Sequence, residues 1–97
     1  MWIGWIEFDM VLGDVHSLKG KRSLVRPLVA DLKRTFSVAA SEVEHHDLHR
    51  RAVVGASTVV ADARHATDVL DSIERFVAER PEFELLSARR GLLTTED

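Results

Sequence analysis

Cysteine is absent from this chain of 97 residues. Its absence excludes disulfide bonds, thiolate metal sites and a cysteine nucleophile. Small secreted domains commonly depend on such cross-links, so the composition favours a reducing compartment, and we expect a cytoplasmic protein. The chain also lacks the run of about 18 apolar residues that a membrane-spanning helix needs, and no basic leader precedes its first apolar segment. The sequence therefore predicts no membrane partner.

The charge is small in total but unevenly distributed. The net charge is −3, with 45% apolar and 30% charged residues, a composition typical of a globular protein. Between Ser17 and Phe36, six basic residues stand against one acid, a local charge of +5 that leaves −8 for the rest of the chain. Such a local patch attracts phosphate at short range even in an acidic protein.

The periodicity of apolar residues predicts six elements in one domain, residues 1–93, followed by a frayed polar tail at 94–97. Trp2–Leu12 alternates with period two, which predicts a strand buried on one face. A four-residue repeat predicts a helix over about 20–36, with Ser17 and Ser23 as alternative N-caps. The other predictions are strands at 38–44 and 51–61, a helix after an Asp62 cap, and a strand at 83–88 with Leu92-Leu93 as an optional extension.

This order of elements predicts an α+β fold, the ferredoxin-like βαββαβ sandwich. In that fold a four-stranded antiparallel sheet carries two helices on one face, and right-handed crossovers leave few alternatives. Trp5 falls on the outer parity of the first strand, where a large aromatic marks a protein interface or a base-stacking platform. Its neighbours Glu7 and Asp9 repel phosphate, so we favour a homodimer interface at Trp5 over RNA stacking there.

The basic residues at the start of the first helix are the main binding candidates. They are Lys19, Lys21, Arg22 and Arg26. Cations at a helix start oppose the helix dipole, and local rules of this kind tend to be broken at functional sites. We therefore predict that these four residues bind nucleic acid or another anion. The alternative is a solvated face, or pairing with acids of the sheet.

A histidine-rich turn offers a weaker candidate, for a metal site. His45, His46 and His49 lie close to Glu44 and Asp47, and imidazole with carboxylate suits zinc or nickel. Their spacing matches no established metal motif, and a solvated turn is the alternative. No serine–histidine–acid order and no glycine-rich phosphate loop accompanies the paired acids. The sequence thus predicts no catalytic residue and no cofactor, and it favours a non-enzymatic role.

Four stretches closely resemble the YlxP-like family, small bacterial proteins of unknown function. They are Ser17–Ser23, Ala40–His45, Asp47-Leu48 with Arg51–Val53, and Asp62–Ala66. The resemblance spans nearly the whole chain and implies a ferredoxin-like fold without an established activity. The genes of this family often lie among genes for translation initiation, transcription elongation and ribosome maturation. The resemblance thus implies an RNA- or ribosome-associated accessory protein, with ribosomal RNA or a ribosomal subunit as its partner.

The sequence departs from the family's pattern at the histidine turn and in the first helix. His46 replaces a common glutamine and His49 a common tryptophan, while Gly20 and Pro27 occupy positions where better helix formers are usual. A homodimeric protein-interaction module and a metal-binding protein remain the alternatives to the RNA-associated role.

Overall fold

The sheet and helices follow the order expected from the sequence. The computed structural model describes residues 1–95. Its strands form one antiparallel sheet in the order β2-β3-β1-β4, which confirms the ferredoxin-like fold. The elements are β1 (Trp2–Leu12), α1 (Leu18–Phe36), β2 (Ala39–Glu44), β3 (Arg51–Val60), α2 (Ala63–Ala78) and β4 (Phe83–Thr94).

The core lies between the helices and one face of the sheet. Ile6, Phe8 and Met10 of β1 are fully buried on that face, as the period-two alternation predicts. Gly4 lies directly beneath α2, where an added Cβ would come within 3.3 Å of a Leu70 methyl. The odd-numbered residues of β1 therefore lie on the opposite face, which we call the open face. The other buried core residues include Leu12, Val25, Leu28, Leu32, Val54, Ala56, Ile73, Val77 and Phe83.

Each helix begins at a side-chain cap. The Ser17 hydroxyl accepts the Gly20 N–H at 3.0 Å, so Ser17 and not Ser23 caps α1. The Ser23 hydroxyl instead donates to the Gly20 carbonyl at 2.6 Å. The Asp62 carboxylate accepts the His65 N–H at 2.8 Å, which confirms the predicted cap of α2. Helix α1 ends at Ser37, whose φ of 54° is left-handed, a frequent helix stop.

Strand β4 continues past the predicted end at residue 88 and runs to Thr94 without a break. It pairs with β1 from Leu12↔Phe83 to Trp2↔Thr94, with one register shift between Asp9 and Met10. Beyond the strand, the Thr95 N–H donates to the Met1 carbonyl at 3.1 Å. Thr94, which was expected in the frayed tail, therefore belongs to the sheet, while residues 96 and 97 lie outside the described part of the chain. Within residues 1–95, no helix combines the length and the apolar character that crossing a membrane requires.

Candidate functional site

Four cations line one exposed face of α1. Lys19, Arg22, Arg26 and Lys33 are all exposed. At 3.6 residues per turn they fall within about 60° of arc, along roughly 21 Å of helix. We call these four residues the basic stripe. Three of them are among the predicted anion-binding residues, and Lys33, which the prediction left out, continues the same line.

The basic stripe is not neutralised by the protein's own acids. Among the described residues, none of its four side chains takes part in an ion pair, whereas most other arginines do, as in the pairs Arg51–Asp9 and Arg89–Glu7. The single acid of α1, Asp31, lies on another face and contacts Arg34 and Arg80. The stripe thus keeps a local positive charge in a protein of net charge −3.

A groove of about 320 Å³ lies beside the basic stripe. It runs between α1 and the edge strand β2. Arg26 and Lys33 border it, and Val25, Val29 and Ala40 form its apolar part. A chain of phosphates on the stripe would therefore have an apolar hollow next to it, large enough to receive part of a sugar or base.

Lys21 does not lie on this surface. Its side chain is only 1% exposed, and it points into the protein beneath the turn that joins β2 to β3. Its ammonium donates to the carbonyls of His45 and Leu48, each at 2.6 Å, and of Arg51 at 3.0 Å. The Glu42 carboxylate lies 2.7 Å away and balances the charge. This burial removes Lys21 from the predicted anion-binding surface and makes it a structural anchor of the turn.

The burial of Lys21 could have been predicted from its position in the helical repeat. Lys21 stands four residues before Val25 and seven before Leu28, so it continues the buried stripe of α1 rather than its exposed face. A lysine at such a position needs partners that satisfy all three N–H donors. The carbonyls of a turn supply them, and no pattern in the sequence marks those carbonyls in advance.

Asp31 links the two helices through arginine. It accepts from Arg34 at 2.6 Å and from Arg80, just beyond α2, at 3.0 Å. The Arg80 hydrogen bond is the main cause that lowers the pKa of Asp31 below its ordinary value of 3.8, and Arg34 adds to it. A carboxyl whose pKa is lowered by folding stabilises the folded state at every pH above its ordinary pKa. That stabilisation is lost as the pH falls through the lowered pKa.

We therefore expect Asp31→Asn to reduce the acid sensitivity of folding. The free energy of unfolding of the unmodified protein should fall more steeply between about pH 5 and about pH 3 than that of the variant, because only the carboxylate loses its arginine partners on protonation. Urea titrations at both pH values measure this difference. Asp68→Asn, an exposed residue of α2 without an ion pair among the described residues, should leave the slope unchanged. Equal slopes for Asp31→Asn and the unmodified protein would contradict the assignment.

The histidine turn does not assemble a metal site in this structure. His45 adopts a left-handed φ of 63°, and its carbonyl accepts a hydrogen bond from the Lys21 ammonium. The His46 ring contacts the Glu42 carbonyl at 3.0 Å, and His49 is exposed. Throughout residues 1–95, no three histidine, aspartate or glutamate side chains stand close enough together to hold a metal ion. The turn is organised around the Lys21 ammonium instead.

The open face of the sheet changes from apolar at one end to charged at the other. Cross-strand pairing places Leu93, Ile3 and Val59 in one row, and Gly91, Trp5, Ser57 and Ala39 in the next. The following rows carry ion pairs: Glu7 with Arg89 at 3.1 Å, and Asp9 with Arg51 at 2.8 Å. The acids predicted for this face are therefore present on it, but they are paired within the chain.

Trp5 lies half-buried across its neighbour strand. An added Cβ at Gly91 would stand 2.5 Å from Trp5 Nε1, so the indole rests directly on the glycine of β4. On the other side of Trp5, the small side chains of β2 and β3 leave a shallow hollow of about 420 Å³. Its floor and walls are formed by Ala39, Ser41, Val43, Gly55 and Ser57. The face thus has a raised side at Trp5 and a depressed side over β2 and β3.

Comparison with known proteins places this chain among proteins whose activity is undefined. The fold is similar to a crystal structure of a variant of SnoaB, a cofactor-independent oxygenase from Streptomyces nogalater, with a TM-score of 0.50, 15% sequence identity, and coverage of 99% of this chain and 94% of that one. That likeness concerns the fold. The uncharacterized protein YlxP of Bacillus subtilis (strain 168) is 27% identical over 82 residues, which are 84% of this chain and 89% of YlxP. Residues 3–90 match the family model for proteins of unknown function DUF503, and the chain belongs to that family.

Proposed function

We propose that this protein is a non-enzymatic accessory protein that binds RNA, with ribosomal RNA as its target, through the basic stripe of α1. The observation that supports this function is the alignment of four exposed cations without acidic partners along one helix face. Phosphate is the ligand that such a row suits, because arginine and lysine form charge-assisted hydrogen bonds to its oxygens. The resemblance to the YlxP-like family implies a gene neighbourhood of translation and ribosome maturation, which favours an RNA partner as well.

The number of cations bounds the salt dependence of binding. A protein that neutralises Z phosphates of a single strand loses affinity with a slope of about −0.7Z in a plot of log K against log salt. Four contacts from the basic stripe therefore predict a slope of up to about −3. Removing one contact should reduce the slope by about 0.7, while binding that relied on apolar contacts would show almost none.

The proposal is tested with the charge-reversal variant Arg22→Glu/Arg26→Glu. We expect it to release the protein from ribosomal subunits in co-sedimentation at low salt. We also expect it to weaken binding to a single-stranded RNA oligonucleotide by at least about 100-fold, since two charged hydrogen bonds of about 1.5 kcal/mol each are lost. Both arginines are exposed and have no ion pair among the described residues, so the variant should remain folded, which circular dichroism checks.

A matched control separates the basic stripe from total charge. Arg64→Glu/Arg75→Glu changes the net charge by the same amount on the exposed side of α2. It should bind the subunits and the oligonucleotide almost as the unmodified protein does. If both double variants lose binding equally, or if the unmodified protein stays in the supernatant at every salt concentration, the stripe is not an RNA-binding surface.

A further inference from the structure

The open face has complementary halves. Trp5, lying on Gly91, raises the half formed by β1 and β4. The half formed by β3 and β2 contains the hollow of about 420 Å³. Next to both lies an uncovered apolar row in which Val59 is 65% and Leu93 58% exposed, beside the half-buried Ile3. An exposed apolar patch next to a hollow marks a surface that another protein covers.

We propose that the occupant of this face is a second copy of the same chain, packed sheet against sheet. The two-fold axis would run parallel to the strands, between β1 and β3. This rotation places β1 of one copy over β3 of the other, and β4 over β2. Each Trp5 then enters the hollow of the partner copy, so the raised half of each face fills the depressed half of the other. An isologous interface requires this kind of self-complementarity.

The same axis brings compatible residues together along the remaining rows. Ile3 stands opposite the partner's Val59, and Leu93 of β4 comes beside the start of the partner's β2 at Ala39. Further along, Arg89 comes next to the partner's Glu44. Glu44 has no ion pair among the described residues of its own chain, while Arg89 is exposed enough to reach a second carboxylate beyond Glu7. Opposite charges therefore meet where the face is charged, and apolar groups meet where it is apolar.

The area of the face is sufficient for a stable pair. Three strands with about nine paired residues and the shorter β2 with about five, at about 3.3 Å per residue and about 4.8 Å between strands, give roughly 500 Å² for each copy. Two copies together bury on the order of 1,000 Å² of projected area, and side-chain relief increases the accessible area beyond that. Stable protein interfaces bury about 1,200–2,000 Å². Aligned sheets in other proteins pack at about 30° to each other.

The first test uses adjacent leucines on opposite faces of β4. Leu93→Asp places a charge in the apolar row, whereas Leu92→Asp places it on the helix side of the same strand. Sedimentation equilibrium over the micromolar range should show a dimer for the unmodified protein and for Leu92→Asp, and a monomer for Leu93→Asp. Circular dichroism confirms that each variant is folded. A folded unmodified protein that stays monomeric throughout this range would overturn the proposal.

The second test checks the position of the proposed two-fold axis by disulfide cross-linking. The chain has no cysteine, so introduced cysteines are the only ones that can react. Glu44 and Ser87 lie three strands apart in one copy, about 14 Å, too far for a disulfide, but the proposed axis places them opposite each other between copies. A mixture of Glu44→Cys and Ser87→Cys proteins should therefore cross-link under mild oxidation, and neither protein should do so alone. A dimer that cross-links equally in the single preparations, or not at all in the mixture, uses another surface. Neither test depends on RNA, so both remain decisive if the basic stripe proves inactive.

Discussion

Replacing Lys21 by methionine should lower the free energy of unfolding by about 3–5 kcal/mol, the usual cost of removing one partner of a buried ion pair. A domain of this size has a total stability of roughly 5–15 kcal/mol, so this loss is a large part of it. The midpoint of thermal unfolding should fall by about 12 °C or more. Urea unfolding followed by circular dichroism measures the first quantity, and a thermal scan the second.

The expected cost arises from the groups that Lys21 leaves behind. Methionine is apolar and has nearly the length of lysine, so it fills most of the space and creates little cavity. The carbonyls of His45, Leu48 and Arg51 lose the donor that satisfies them, and the Glu42 carboxylate, 18% exposed, loses the charge that balances it. A fully buried unsatisfied acceptor costs about 1–3 kcal/mol, but these bonds are only partly buried and Leu48 lies on an exposed turn, so water can reach some of the carbonyls and the total stays at about 3–5 kcal/mol. The turn between β2 and β3 should therefore exchange its amide hydrogens much faster in the variant.

Lys19→Met is the matched control, because it makes the same change two residues earlier on the exposed face of α1. Its effect should stay within about 0.5 kcal/mol, as for other surface substitutions. Glu42→Gln should cost less than Lys21→Met, since the three carbonyls still hold the ammonium. If Lys21→Met is as mild as Lys19→Met, the four contacts do not contribute to stability, and the anchor assigned to Lys21 is wrong.

The sequence predicted most of the fold because each element has a local signal. The alternation of β1 predicted both its ends and its buried face, since one side of that strand lies under the helices. The Asp62 cap predicted the start of α2. The full length of β4 was not predicted, because Arg89, Arg90 and Gly91 carry no apolar alternation. These residues stay in the strand because β1 supplies their hydrogen-bond partners, and a tertiary contact of that kind has no local signature.

The candidate surface was predicted only in part, for a similar reason. Composition located the positive charge in α1, but not which side chains reach solvent. The helix period assigns Lys19, Arg22 and Arg26 to the exposed face and Lys21 to the buried face. Counting charges along the sequence therefore grouped a buried structural lysine with exposed candidates for anion binding. Lys33 was outside the predicted group because it lies two turns beyond Arg26. Lys33 aligns with the basic stripe because α1 continues unbroken for these two further turns.

The two proposed surfaces are compatible in one molecule. Helices and open face lie on opposite sides of the sheet, so a dimer joined by its open faces leaves both copies of α1 on the outside. Two basic stripes would then act on one RNA, or on two separate segments. Linked binding sites raise the effective affinity when the ligand spans both. The variant Leu93→Asp should then weaken RNA binding indirectly, without any change in the stripe.

Gly91→Ala should destabilise the protein by about 1–3 kcal/mol, the range for forcing extra volume into a packed site. The new Cβ would stand 2.5 Å from Trp5 Nε1 and 2.6 Å from Cε2, so the indole has to leave its place on β4. Alanine in a strand otherwise gains about 0.4–1 kcal/mol over glycine through the unfolded state, so a net loss identifies the collision. In a Trp2→Phe background, the fluorescence of Trp5 should shift to the red as the indole enters water.

Two comparisons separate this collision from a general intolerance of the sheet. Gly55→Ala lies on the same open face, but its Cβ would meet Val43 at 3.4 Å, an ordinary contact, so it should be neutral or slightly stabilising. In a Trp5→Leu background, the cost of Gly91→Ala should largely disappear, because the smaller side chain no longer covers the glycine. If the cost persists unchanged in that background, glycine is required at position 91 by the backbone of β4 and not by the indole of Trp5 that packs on it. The raised half of the open face would then not depend on the glycine.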